Sequence, residues 1–535
     1  MCVEIFTDGI GFIDKYFYSL DATFDSLNTW WGLTFAGIFI FALIIDIACY
    51  LGKKHFSHTL EAPQYREWLI TTLKKIYPGW EPTGDINNGD KNQYACSILE
   101  LSEDFNWASD AKLEDDNYLR TDPNYPSSWL SKCLRTWGYH NWRNKFKLAK
   151  CKSIFSYNAS GGKALRYRIS YYLLLRDTIR FPYLLGYTLN SFYSGKTRSN
   201  VSALSNKING VDCNLATYLQ NVMTSHIMEY ELYRLYIRNR KKISRNEYNP
   251  SPKDILDQLP YRKTIHMAVY KAVNGEDCKL TENLISEKMT TAVFTRGDGR
   301  HSLLSVQAML IYPIIEKDGA TDIRKYRPFV GRRSDKVAIY KNHLQIVPAG
   351  GFEMYERSRN GYNIRSIKNS FNPKLALDRE ILEELLNEKS FDGKCETPGK
   401  DNVNNIVENH EFIQIIGDSL DYSKMHGITI DVVYLRHVFS YIMVLKDSNK
   451  FREYLQSHKL ILNDEFSATL GGDISIINNF FEKEDCVSLP DSAGLAKIFV
   501  KSDIYEALKL MEKDISLDLK TALKRIEEDK KSKTI

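Results

Sequence analysis

Two short stretches combine residue types that support metal-dependent phosphate chemistry. In "REILEELL" (Arg379–Leu386), Glu380, Glu383 and Glu384 are spaced three and four apart. A helix therefore places all three carboxylates on one face, with Ile381, Leu382, Leu385 and Leu386 free to pack on the other. Three acids on one face repel unless a cation neutralises them. Carboxylate oxygens suit a hard ion, Mg²⁺ or Mn²⁺. Such an ion polarises a phosphoryl oxygen and lowers the pKa of a bound water. The same run also reads as a plain amphipathic helix with its glutamates in water. Upstream, "VPAGGFEMYE" (Val347–Glu356) ends a strand in a Gly-Gly turn and then presents Glu353 and Glu356. Gly350 and Gly351 let a pyrophosphate approach the backbone there.

The elements that position these residues follow from periodicity. "SLLSVQAMLIYPIIE" (Ser302–Glu316), "RPFVGRR" and "VAIYKNHLQIVPAGGFE" read as strands, followed by the polar loop "RSRNGYNIRSIKNSFNP". "KLALDREILEELLNEK" is the helix, and "EFIQIIGD" and "ITIDVVYLRHVFSYIMVL" read as further strands. This is an α+β arrangement around a mixed sheet with flanking helices. The sequence divides into an N-terminal segment 1–29, an apolar helix 30–52, a mostly helical region 53–289, the strand-rich domain 290–489 and a helical tail 490–535. In the helical region, "PQYREWLITTLKKIY" has its apolar residues at helical spacing, and "LATYLQNVMTSHIMEYELYRLYIRNRKK" reads as one long helix.

In these residues the sequence resembles the Nudix hydrolases, whose box is G-x5-E-x7-R-E-U-x-E-E-x-G-U, with U a bulky aliphatic residue. Gly350 and Glu356 match the first half; Arg379, Glu380, Ile381, Glu383 and Glu384 match the second in register. The spacer between Glu356 and Arg379 holds 22 residues instead of seven, and Leu386 replaces the closing glycine, so the helix is expected to run on to Asn387 or beyond. The resemblance implies hydrolysis of a nucleoside diphosphate linked to another moiety, with Mg²⁺ or Mn²⁺ held by Glu380, Glu383, Glu384 and Glu356. It implies that Arg379 braces the glutamates and that Arg379, Glu383 and Glu384 carry the catalysis. Gly350, Gly351, Arg332 and Arg333 would meet the substrate, with Arg327 nearby; a solvated strand edge is the alternative for the arginines. The general base stays open among Asp473, Glu482 and Glu484.

The 535 residues are 26% charged and 43% hydrophobic, and the net charge of +5 makes no case for bulk nucleic-acid binding. The nine cysteines lie outside metal-ligand spacings and are odd in number, which argues against a zinc ribbon and a disulfide framework. Between Ser131 and Asn200 the only acid among many Lys and Arg is Asp177. That stretch is a solvated surface or a face toward anionic lipid or nucleotide. "WWGLTFAGIFIFALIIDIACYLG" (Trp30–Gly52) is apolar apart from Asp46 and is long enough to cross a hydrocarbon core of roughly 30 Å. Lys53 and Lys54 follow it, and the preceding segment is acidic. The positive-inside rule then predicts a single-pass inner-membrane protein, N-terminus outside and main domains in the cytoplasm.

One span joined to a Nudix-like domain resembles, in architecture, the effectors that accompany CD-NTases in bacterial antiviral (CBASS) signalling. That resemblance implies a cyclic-nucleotide activator made by a CD-NTase, a lipid bilayer and a homo-oligomer as partners, beside the nucleotide substrate. It leaves two readings open. Either the domain hydrolyses a nucleotide at the membrane, or it senses one without turnover and controls a membrane-disrupting segment.

Overall fold

The computed structural model describes residues 30–84, 92–107, 167, 170–171, 174–175, 185–195, 199–318, 321–334, 337, 340, 342–353, 371–387, 403–457, 466–469, 474–478, 480 and 488–534. The chain divides into two compact units after Leu60. The first contributes helix α1 (Trp30–Glu61), which runs on past Gly52, the expected end of the apolar segment. Among the described residues no helix is long and apolar enough to cross a membrane. The side chains of residues 31–39, a large part of the expected span, lie outside the described ones.

The second unit, Glu61–Ile535, is a mixed α+β structure. It begins with α2 (Pro63–Ile76), where Trp68, Leu69, Leu73 and Ile76 are buried, as the helical spacing predicts. Strands β1 (Cys96–Leu99) and β2 (Leu101–Trp107) come next, then β3 (Leu185–Ser194), β4 (Ser199–Asn200) and β5 (Ile208–Thr217). β2, β5, β3 and β4 form a sheet in that order, so the region expected to be mostly helical carries a sheet of its own. The expected long helix is present as α3 (Ile227–Ser244), entered through a π-helical turn at Val222–His226. Helices α4 (Pro260–Asn274) and α5 (Glu287–Thr295) complete this part.

The main sheet uses β6 (Ser305–Asp318), β7 (Thr321–Pro328), β10 (Ala349–Gly351), β11 (Leu420–Asp431) and β12 (Arg436–Leu445), with β8 (Val330–Arg333) and β9 (Leu344–Ile346) forming a small sheet with β13 (Phe466–Thr469). Its order is β1-β11-β12-β6-β10, with β7 also paired to β6. β12 lies parallel to β6 and the other pairs are antiparallel. The edge strand β1 comes from far outside the expected domain: Cys96–Leu99 pairs with Ile428–Asp431. Helix α6 (Pro373–Leu385) packs on β10 and β6. Helix α8 (Pro490–Val500) covers the sheet, placing Ala493, Leu495, Ala496 and Phe499 in one core with Met309, Ile311, Ile442 and Val444.

"EFIQIIGD" is a helix, α7 (Glu411–Ser419), rather than the expected strand. Phe412, Ile413 and Ile416 are buried at helical spacing, and the His410 side chain caps the Phe412 amide. One buried arginine joins the helices to the sheet. Arg262 of α4, fully buried, donates to the Tyr77 hydroxyl at 2.8 Å and to the carbonyls of Val432 and Val433 at 3.2 and 2.5 Å. Its charge faces Glu231 of α3, whose carboxylate also accepts from the amides of Tyr261 and Arg262.

Candidate active site

The acid-bearing helix starts at Pro373, one residue before the expected Lys374. The Asn372 side chain caps the amides of Lys374 and Leu375, and Pro373 fills the first turn, where no N–H is needed. The helix stops at Leu385, earlier than expected. Asn387 takes the left-handed conformation, with φ +55°, and ends it as a glycine would. Leu386 thus does not extend the helix.

The glutamate face is not in water. Arg379, Glu380 and Glu384 are buried, and only Glu383 is half-buried. Arg379 joins the two halves of the motif. Its Nη2 donates to the Gly351 carbonyl at 2.7 Å and to the carboxylates of Glu353 and Glu380. Its Nε lies 3.4 Å from Glu383 Oε1. Glu384 turns elsewhere: Oε2 accepts from the Ala349 amide at 2.8 Å, and Oε1 from Gln345 Nε2 at 3.3 Å. Burial makes these charge-assisted bonds strong, and it makes the loss of any one partner costly.

Gly350 is required by space. A Cβ there would lie 2.0 Å from Glu380 Cδ, so the helix carboxylate rests directly on the loop. At Gly351 a Cβ would meet Glu353 Oε1 at 2.4 Å. The loop is held in turn by β3. Tyr187 N–H donates to the Phe352 carbonyl at 3.0 Å, and Leu304 N–H to the Tyr187 carbonyl at 2.7 Å. The rings of Tyr187, Phe352 and Phe371 are mutually packed, with centroids 4.8–5.0 Å apart. Phe352 precedes the long spacer and Phe371 lies within it, just before the helix begins, so the chain returns to the place it left.

The structure brings Arg379, Glu380, Glu383, Glu384, Gly350 and Gly351 together, with Glu353 as the loop carboxylate on Arg379. Glu356 lies outside the described residues, as do Asp473, Glu482 and Glu484. Arg327 pairs with Glu316 at 2.7 Å, and Arg332 donates to the Asn342 carbonyl at 2.9 Å. Arg333 Nη1 donates to Gln345 Oε1, which joins it to Glu384. Gln345 escaped sequence reading. Its one signal is a polar residue inside the apolar run "HLQIV" at a strand position that is fully buried.

The donor set is of a kind that suits a hard divalent ion, since three carboxylates, Glu353, Glu380 and Glu383, share the single guanidinium of Arg379, and a fourth, Glu384, lies on the Ala349 amide beside them. Among the described residues, however, no three His, Cys, Asp or Glu are already arranged to hold a metal ion. The carboxylates converge on Arg379 and the Ala349 amide instead. A second polar cluster lies around the β11–β12 turn. Asp431, pushed up to about 7 by burial, accepts from the Tyr340 hydroxyl at 2.7 Å, and Arg436 pairs with Asp491. Glu229, pushed up to about 8 by burial, accepts from the Tyr434 hydroxyl at 2.6 Å. No family model matches the sequence, and no curated protein matches it.

Proposed function

We propose that the chain is a membrane-anchored hydrolase of the Nudix type, cleaving a nucleoside-diphosphate-linked substrate with Mg²⁺ or Mn²⁺. The observation that carries this reading is Arg379, which binds Gly351, Glu353, Glu380 and Glu383 and so unites loop and helix across the long spacer. Glu383 and Glu353, half-buried and paired with Arg379, would be the carboxylates that a cation meets first, with Glu380 and Glu384 behind them. A bound ion would polarise the phosphoanhydride and activate water. The protein's own part is to hold the carboxylates ionised and fixed and to offer a close backbone at Gly350 and Gly351. The anchor would be the apolar segment of α1, a reading supported by Ile40, Ile47, Tyr50 and Leu51, each at least half exposed. With main domains in the cytoplasm, the hydrolase would act as an antiviral effector, answering a cyclic nucleotide as a homo-oligomer at the inner membrane.

The absence of a ready-made cation cage among the described residues favours a second reading, a nucleotide sensor without turnover. One experiment separates the two. The full chain in lipid nanodiscs is assayed on pyrophosphate-linked nucleotides with Mg²⁺ or Mn²⁺, with and without cyclic nucleotides, beside a Glu383→Gln, Glu384→Gln double variant. Turnover lost in the variant supports the hydrolase. Metal-independent cyclic-nucleotide binding with no turnover selects the sensor.

A further inference from the structure

We propose that Arg333, acting through Gln345, is a positioning residue for Glu384 rather than a contact for substrate phosphate. This rests on the reading of Glu384 as a cation ligand. Gln345 is fully buried and its three hydrogen bonds point one way. Its Oε1 accepts from Arg333 Nη1, and its Nε2 donates to Glu384 Oε1 and, at 3.2 Å, to the Ala349 carbonyl. An amide side chain has two near-equivalent orientations, and its neighbours decide between them. Arginine only donates, so it fixes the carbonyl end of Gln345 toward itself. The NH₂ end must then face Glu384, and a carboxylate that meets this donor and the Ala349 amide has both oxygens anchored. Without Arg333 the carbonyl end of Gln345 loses its charged donor, and the amide is held only by its weaker bonds to Glu384 and the Ala349 carbonyl.

The geometry of the small sheet serves this arrangement. Arg333 donates its backbone N–H to the His343 carbonyl at 2.9 Å, and Gly331 stands opposite Gln345 in the β8–β9 pair. The arginine and the glutamine are therefore neighbours on adjoining strands, and Glu384 reaches them from α6. Outer partners of this kind orient the groups that touch a metal, and their loss weakens metal binding about 10- to 100-fold.

The test uses the full chain and three variants, Arg333→Ala, Arg333→Lys and Gln345→Leu. Mn²⁺ affinity is read by electron paramagnetic resonance, and hydrogen exchange at the Ala349 amide is read without metal. Arg333→Ala and Gln345→Leu are expected to weaken Mn²⁺ binding about 10-fold or more and to speed Ala349 exchange about 2- to 10-fold. Arg333→Lys, which still donates to Gln345, recovers part of both. Unchanged Ala349 exchange in Arg333→Ala, or unchanged Mn²⁺ affinity with a raised KM for nucleotide, overturns the inference. A wild-type chain that takes up no Mn²⁺ sinks the hydrolase reading instead, and the exchange measurement still decides the role of Arg333.

Discussion

Gly350→Ala isolates the contact on which the two halves of the site meet. The φ of Gly350 lies outside the left-handed region, so alanine costs nothing through the backbone there. The cost is steric. The new Cβ would stand 2.0 Å from Glu380 Cδ and 2.1 and 2.3 Å from its two oxygens, where ordinary contact begins at 3.4 Å. The carboxylate must therefore retreat by more than an ångström, and Glu380 is 6% exposed and bonded to Arg379. Overpacking of a filled site costs about 1–3 kcal/mol. The variant is expected to lose that much stability in chemical denaturation of the full chain, and to bind Mn²⁺ more weakly. Glu380→Ala removes the obstructing group. The double variant should then be more stable than the sum of the single effects by about 1–2 kcal/mol, the coupling expected of residues in contact. Additive effects, within about 0.5 kcal/mol, refute the claim that helix carboxylate and loop glycine are fitted to each other.

Arg262→Met leaves Glu231 buried without its countercharge, and the Val432 and Val433 carbonyls without a donor. A loss of about 3–5 kcal/mol is expected in urea unfolding, and a loss under about 1 kcal/mol would contradict the buried pairing. Glu229, raised to about 8 by burial, holds a proton in the folded state that the unfolded chain releases near 4.5. Its contribution to stability is full below 4.5 and is lost as the pH rises through 8, at up to about 1.4 kcal/mol per pH unit. The buried histidines and Asp431 titrate in both proteins, so the assignment is read from the difference: the stability of the wild type minus that of Glu229→Gln should fall as the pH rises from 4.5 to 8, and a difference independent of pH would count against it. Asn387→Gly removes a buried Oδ1 that has no hydrogen-bond partner among the described residues and relaxes a residue at φ +55°. A gain of about 1 kcal/mol is expected by denaturation, and a comparable loss would show that Asn387 stabilises the helix end in some other way.

The chemistry-bearing stretch was legible because its signals are local. Three glutamates at helical spacing and a Gly-Gly turn depend on residues within a few positions of one another. What the sequence hid depends on distance along the chain. Nothing near Cys96–Leu99 announces that it pairs with Ile428–Asp431, and nothing near Tyr187 places it on Phe352. The strand reading of "EFIQIIGD" failed on a short apolar run that suits either structure until spacing and cap decide it. The alternative that put the glutamates in water fails for a related reason. Helical spacing says which residues share a face but not what covers it, and here the cover is the Gly350 loop itself. Arg332 and Arg333 were likewise placed by charge alone, whereas their hydrogen bonds turn one to a carbonyl and the other to Gln345.

The long spacer is compatible with an intact site for a physical reason that also changes the role of the N-terminal half. Closing a loop costs entropy that grows only with the logarithm of its length, so a spacer of 22 residues instead of seven adds about 1 kcal/mol. What matters is that the chain comes back to the loop before the helix begins. Phe352 and Phe371 meet at 5.0 Å, and the third ring of the cluster, Tyr187, is supplied by β3 from the region before residue 289. The same strand bonds the loop backbone at Phe352 and the start of β6 at Leu304. With β1 on the edge of the main sheet and Arg262 bonded to the β11–β12 turn, the N-terminal half helps to build the site. A motif of two pieces is held in register here by residues that belong to neither.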